Sequence, residues 1–159
     1  MRDASPVTAV GPPEERIDTR PAREDDVDAL LALDEIVRVD PGRAAFIRGA
    51  VASGDCLVAL HGGRVVGYGV LERSFFAHGF VSMLYVAASH RRHGAGTALL
   101  RALERRCPTE KVFTSTNASN APMQALLVRA GFEPSGVVYN LDPGDPEMIF
   151  VRIVRAHAG

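Results

Sequence analysis

Tryptophan is missing from this chain, and cysteine occurs only twice in 159 residues. Cys56 and Cys107 stand apart with no CxxC pair, so the sequence offers neither a disulfide framework nor a finger-type zinc site. Neither sign of charge dominates: 18 basic residues meet 19 acidic ones, for a formal net charge of -1. Dedicated nucleic-acid binders carry a strongly basic domain, so that class is set aside. No apolar run approaches the ~18 residues of a membrane-spanning helix. No signal-peptide core opens the chain, and Asp3, Glu14 and Glu15 disfavour a transit peptide. The expectation is a cytoplasmic protein with no nucleic-acid or membrane partner and no bound metal.

What is present reads as one ordinary globular domain. The chain is 47% hydrophobic and 23% charged, close to the globular averages of ~45–50% and ~25%. Its length is enough to bury a core without covalent or metal staples. Residues 1–16 hold Pro6, Gly11, Pro12 and Pro13 among few large apolar groups, and read as a flexible leader. Residues 17–159 read as a single domain.

Hydrophobic period sets the elements. Ile17–Arg20 reads as a strand. Val27, Leu30, Leu31 and Leu33 predict a helix running to about Val37 after the acidic start Glu24-Asp25-Asp26. Ala44, Ile47, Ala50 and Val51 predict a second helix. Two apolar runs, Cys56–Leu60 and Val65–Leu71, flank Gly62-Gly63 and predict a β-hairpin. Phe80–Val86 is apolar on both faces except at Ser82, as an interior strand is. Leu99, Leu100, Leu103 and Cys107 form a helical stripe that Pro108 ends. Lys111–Thr116 predicts a strand, and Met123, Leu126, Leu127 and Ala130 a helix with Pro122 in its first turn and Gly131 as its cap. Ser135–Leu141 and Met148–Val154 are the last strands, with Pro143–Pro146 as the turn. The order βααβββαβαββ is that of an α+β protein: a mixed, mostly antiparallel sheet of about seven strands with helices on both faces.

Between the interior strand and the amphipathic helix lies Arg91-Arg92-His93-Gly94-Ala95-Gly96-Thr97. Glycines let backbone approach a ligand closely, and the first amides of a helix lack intrahelical partners. The helix dipole favours an anion there, and arginines add donors shaped for phosphate oxygens. The turn is not a Walker loop, since no GxxxxGK[ST] is present, and it lacks the third glycine of the dinucleotide fingerprint.

Arg91-x-x-Gly94-x-Gly96 after Leu84-Tyr85-Val86 resembles the coenzyme A-binding motif of the GNAT superfamily of N-acetyltransferases. Asn120, Met123, Leu126, Gly131 and Phe132 are similar to that superfamily's N-x-x-[AM]-x-x-L-x-x-x-x-G-F segment, and Arg20-Pro21-Ala22 is similar to its opening. The resemblance spans about Ile17 to Val154. It implies acetyl-CoA as cosubstrate, held between two parallel strands that splay apart, here Phe80–Val86 and Lys111–Thr116. The pantetheine arm would pair with backbone groups of Leu84, Tyr85 and Val86. The pyrophosphate would lie on the amides of Gly94, Ala95, Gly96 and Thr97, with Arg91, Arg92 and His93 in the same turn. Asn120 would contact the pantetheine region, with Asn117 as its helper.

The implied chemistry is direct acetyl transfer to an amine of a small molecule or peptide. A lysine-like amine is neutral in only about one part in 2,500 at pH 7, a deficit of roughly 4–5 kcal/mol. A base must help supply it. Glu72 is the first candidate, with Asp34, Glu35, Glu147 and His78 as alternatives. A backbone amide near Tyr85 or Val86 would stabilise the developing oxyanion. Leu127 departs from the pattern, because many members carry there a tyrosine that protonates the leaving thiolate. Tyr85 and Tyr139 are the possible replacements. A non-catalytic acyl-CoA-binding sensor is the rival reading. Monomer and homodimer both remain open.

Overall fold

The computed structural model describes residues 16–154. The leader expected over residues 1–16 therefore lies, Arg16 excepted, outside the described residues. Seven strands are seen: β1 (Ile17–Pro21), β2 (Cys56–His61), β3 (Arg64–Phe75), β4 (His78–Val86), β5 (Lys111–Asn117), β6 (Glu133–Asp142) and β7 (Asp145–Ile153). Four α-helices join them: α1 (Val27–Leu33), α2 (Pro41–Ser53), α3 (Ala95–Arg106) and α4 (Ala121–Arg129). The strands form one sheet in the order β1-β2-β3-β4-β5-β7-β6. Every neighbouring pair is antiparallel except β4 and β5, which are parallel and joined through α3. The mixed, mostly antiparallel architecture is as expected.

Each face of the sheet has its own core. On one face, Leu99, Leu100 and Leu103 of α3 and Leu127 of α4 are fully buried against Ala59, Val112 and Phe150. Burying each leucine stabilises the fold by roughly 1.5–3 kcal/mol. On the other face, Leu30 of α1 and Ile47 of α2 bury Val58, Tyr68 and Val70. Arg152 ties the first face together. Its Nε lies 3.0 Å from Glu104 of α3, and its Nη1 donates to Ala130 O at the end of α4 (2.6 Å).

Several boundaries differ from the periodic reading: β3 runs on to Phe75 rather than ending at Leu71, β4 and β6 start two residues early, and two further differences have a visible cause. α1 ends at Leu33 and is followed by a separate 3-10 turn, Glu35–Arg38, rather than running on to Val37. Asp34 causes the break: its backbone is extended (ψ 103°), and its carboxylate accepts from Ile36 N at 2.9 Å. In the last hairpin, Pro143-Gly144 alone makes the turn, with Gly144 at φ 74°, so Asp145 and Pro146 already belong to β7. A proline is tolerated at the start of a strand, where it removes least from the ladder.

Candidate active site at the parted strands

β4 and β5 pair over only three rungs: Gly79 with Val112, Phe80 with Phe113 and Val81 with Thr114. Thr114 Oγ1 donates to Val81 O at 2.9 Å and closes the last of them. Beyond it the strands part. Met83 to Val86 still pair with β3, opposite Val70 to Gly67, but have no strand partner on the β5 side. The cause is visible in the register: Val70 faces Met83 while Leu71 faces Val81, so Ser82 is an extra residue bulged out of β4. A bulge bends its strand and interrupts its pairing. Ser82 Oγ is enclosed and has no hydrogen-bond partner among the described residues. Leu84 and Val86 turn toward α3, and Met83 and Tyr85 toward α1 and α2.

The opening leads to the arginine–glycine turn. The first helical bond of α3 runs from Ala98 N to Gly94 O (3.0 Å), which leaves the amides of Ala95, Gly96 and Thr97 outside the i→i−4 ladder. Gly94 has φ 86° and caps the helix without a side-chain bond. A Cβ there would meet nothing within 4 Å, so glycine is needed for its backbone conformation alone. At Gly96 a Cβ would stand a tight 3.0 Å from Leu126 Cδ2, so the leucine side chain would have to shift to admit one. Arg91 Nε donates to Val86 O at 3.1 Å, anchoring the turn to the end of β4. Arg92, His93 and Gly94 are exposed. Free amides, a helix N-terminus and two guanidinium groups fit a pyrophosphate. The unpaired edge of β4 fits an extended arm.

Across the sheet lies a network that the sequence reading missed. Tyr68 Oη donates to Asp34 Oδ2 at 2.6 Å, with both side chains fully buried. Burial, then Asp34, holds the Tyr68 phenol well above its usual range, so it remains a donor. Arg43 Nε of α2 is 3.1 Å from the same carboxylate oxygen, an ion-pair contact without hydrogen-bond alignment. Arg43 Nη1 reaches Met83 Sδ at 3.2 Å. Tyr85 packs near Tyr68 (ring centroids 6.0 Å), and its hydroxyl accepts from Glu35 N at 3.3 Å. Asp34, Glu35 and Tyr85 of this group are candidates from the sequence, whereas Arg43, Tyr68 and Met83 are not. Nothing in local spacing links positions 34, 43, 68 and 83.

The other candidates are spread around the opening. Glu72 stands opposite Phe80, beside the closed end of the β4–β5 pair. It lines a cavity of about 260 Å³ with Phe46, Gly49 and Asp55. Tyr139 lies on edge strand β6 and is 68% exposed. Asn117 Nδ2 donates to Asp142 Oδ2 (2.8 Å), and Ser119 N to Asp145 Oδ1 (2.9 Å), which tie the β5–α4 loop to the last hairpin. Asn120 Oδ1 caps α4 by accepting from Met123 N at 3.2 Å. Leu127 is fully enclosed in the core. His90 packs against His61 (5.5 Å) and its Nδ1 contacts Ser89 Oγ (2.9 Å). Cys56 is buried, and burial pushes its thiol up to about 12, so it is no nucleophile.

A pair of parallel strands that part beside a helix N-terminus with free amides makes an opening that fits an extended, phosphate-bearing ligand. The chain belongs to the GNAT family of acetyltransferases, whose family model matches residues 22–132. A GNAT-family acetyltransferase from Bacillus cereus ATCC 10987 is 33% identical, covers 87% of this chain and 97% of its own, and superposes with a TM-score of 0.82. The Salmonella typhimurium protein yncA, solved with its cofactor acetyl-CoA, is 24% identical over 90% of this chain and 96% of its own, with a TM-score of 0.70. The ribosomal-protein-S18-alanine N-acetyltransferase of Escherichia coli shares the fold at 18% identity, covering 91% of this chain and 97% of its own, with a TM-score of 0.73. No curated protein matches the chain. The family's acetyl donor is acetyl-CoA.

Proposed function

We propose that this protein is an N-acetyltransferase that transfers acetyl directly from acetyl-CoA to an amine of a small molecule or peptide, within one ternary complex. The observation that carries it is the three-rung β4–β5 pairing, which leaves the β5-facing edge of β4 from Leu84 to Val86 without a strand partner, on the approach to the Gly94–Thr97 amides. Acetyl-CoA supplies the acetyl group as a thioester. The unpaired edge of β4 holds the arm, the turn amides with Arg91 and Arg92 hold the phosphates, and Asn117 and Asn120 fix the far wall of the opening. Tyr85 takes the role of proton donor. Its oxygen accepts from Glu35 N, which leaves its own proton free to be donated. Tyr139, on an exposed edge, is the weaker choice. Leu127, fully buried, contributes packing and no proton. Glu72 is the proposed base. Two unpaired cysteines accord with a reducing cytoplasm.

The second reading, a non-catalytic acyl-CoA-binding module, is favoured by one residue, the buried Leu127 at the position of the donor tyrosine. Calorimetric titration with acetyl-CoA, followed by thiol release with an amine panel, separates the two. Micromolar 1:1 binding with amine-dependent release supports the enzyme. Binding without release to any amine favours the sensor. Arg92→Ala is expected to weaken acetyl-CoA binding about 10- to 150-fold, the worth of a charged hydrogen bond. Unchanged affinity in both Arg91→Ala and Arg92→Ala would remove the phosphate placement.

A further inference from the structure

The face of the sheet opposite α3 and α4 is only partly covered. α1 and α2 pack over β2 and β3, and the core beneath them contains no residue of β5, β6 or β7. The half-exposed side of β5 on this face carries Lys111, Phe113, Ser115 and Asn117. Phe80 and Phe113 form the middle rung of the parallel pair, so they lie directly below the point where the strands part.

These two rings belong to an aromatic cluster. Phe75 stacks on Phe80 with centroids 5.3 Å apart and planes at 17°, and lies 4.9 Å from Phe113. Phe76 abuts Phe75 edge-on at 5.0 Å and is itself 85% exposed. The turn carrying it is strained. Phe76 and Ala77 both sit at positive φ, 49° and 62°, where a two-residue hairpin normally uses asparagine and glycine. A bulky ring is thus held in solvent on an unfavourable backbone, continuous with a platform that ends at the opening. Backbone strain of this kind persists where the surrounding structure holds it, often at ligand-binding sites.

Charge marks the rim. Glu72 is the cross-strand partner of Phe80, so the two share this face. Glu147 pairs with Asn117, on the same face beyond the opening. A bound ammonium group at the opening would therefore have Glu147 on its β7 side and the aromatic floor toward the closed end, where Glu72 stands. Lys111 is two residues before Phe113, at the end of the platform away from the opening.

We propose that the acceptor is a primary amine bearing an aromatic or large apolar group, which rests on the Phe75–Phe80–Phe113 platform while the ammonium reaches the opening, on the rim that carries Glu147. This deepens the acetyltransferase reading and rests on it. A cationic or small polar body would leave the rings uncovered, whereas a flat apolar body covers them and keeps the amine at the gap.

The test compares 2-phenylethylamine with ethylamine, which share the amine and differ in the ring. With acetyl-CoA bound, kcat/KM for 2-phenylethylamine is expected to exceed that for ethylamine by at least about tenfold. Phe113→Ala should remove most of that advantage while acetyl-CoA affinity stays unchanged. Phe76→Ser, at an exposed turn where misfolding is not a concern, should reduce it severalfold. Equal kcat/KM for the two amines, or a preference that survives Phe113→Ala, overturns the proposal and leaves the acetyl-CoA assignment intact. If neither amine turns over, ring-selective saturation-transfer NMR on the protein, with and without acetyl-CoA, decides. Selective contact to the phenyl ring that is lost in Phe113→Ala supports the platform, and no contact overturns it. Failure to bind acetyl-CoA at all would instead strike the acetyltransferase assignment, and the NMR measurement on the free protein would still judge the platform.

Discussion

The two sides of the opening are made of different material. On the α3 side the site is backbone: amides of Ala95, Gly96 and Thr97, the unpaired edge of β4, and a glycine at φ 86°. On the α1–α2 side it is side chains: Asp34, Arg43, Tyr68 and Tyr85, drawn from the end of α1 and from α2, β3 and β4. A backbone site needs only a few consecutive residues and tolerates change around it. A side-chain site depends on packing between distant segments.

The sharpest way to break this division is Asp34→Ala. The change strands the Tyr68 hydroxyl and leaves Arg43, whose side chain is 18% exposed, beside an empty position. Removing one partner of a buried pair costs about 3–5 kcal/mol, measured here by urea unfolding. Asp34→Asn, which keeps an acceptor for Tyr68 but not the charge, should cost less. If the halves are separable, folded Asp34→Asn binds acetyl-CoA within about threefold of the parent. A loss of cofactor affinity as large as the loss of stability would show that the network also sets the opening.

Gly94 tests the other half, with a smaller effect. Gly94→Ala forces an L-residue into the left-handed region at roughly 1–2 kcal/mol. Since no neighbour lies within 4 Å of the added carbon, the loss comes from the backbone alone. Gly94→Asn should be milder, because asparagine visits that region more readily. Unfolding midpoints and acetyl-CoA titrations should rank parent, Asn and Ala in that order. Equal stability of the Ala and parent proteins would mean that the turn relaxes.

The same contrast explains what could be read beforehand. The turn at Arg91–Thr97 was legible because each of its signals is local: glycine for a positive φ, arginine for an anion, a strand before and a helix after. The fold was legible too, through stripes such as Leu99, Leu100 and Leu103. The side-chain half was not. Helical periodicity carries α1 on to Val37, because Ile36 and Val37 continue the apolar pattern, whereas Asp34, held by Tyr68 and accepting from Ile36 N, ends the helix early. The bulge at Ser82 was hidden for a related reason. A strand apolar on both faces does not reveal its register, so an extra residue leaves no mark in the pattern.

The smallest predicted effect lies at the edge of the side-chain half, where Arg20 and Asp26 pin the entry to α1. Arg20 holds Asp26 through two bonds of 2.7 and 2.9 Å, and Arg23 N donates to the same carboxyl at 2.7 Å. These bonds, the Arg20 bond foremost, hold the Asp26 carboxyl below its usual range against the opposing effect of burial. The unfolded chain therefore binds the proton more readily than the folded one between the lowered value and the ordinary carboxylate pKa of about 3.9. Stability from this pair is fully present above that ordinary value and is lost as pH falls through the lowered one. Asp26→Asn removes the term, so the stability gap between parent and variant should be constant near neutrality and close as the solution is acidified below about pH 4. A gap that stays constant to the lowest pH at which both fold would mean that the Asp26 contribution comes from its geometry, which asparagine would disturb, rather than from its charge. The pair would then join the backbone side of the division, as a cap that needs an acceptor atom and no ion.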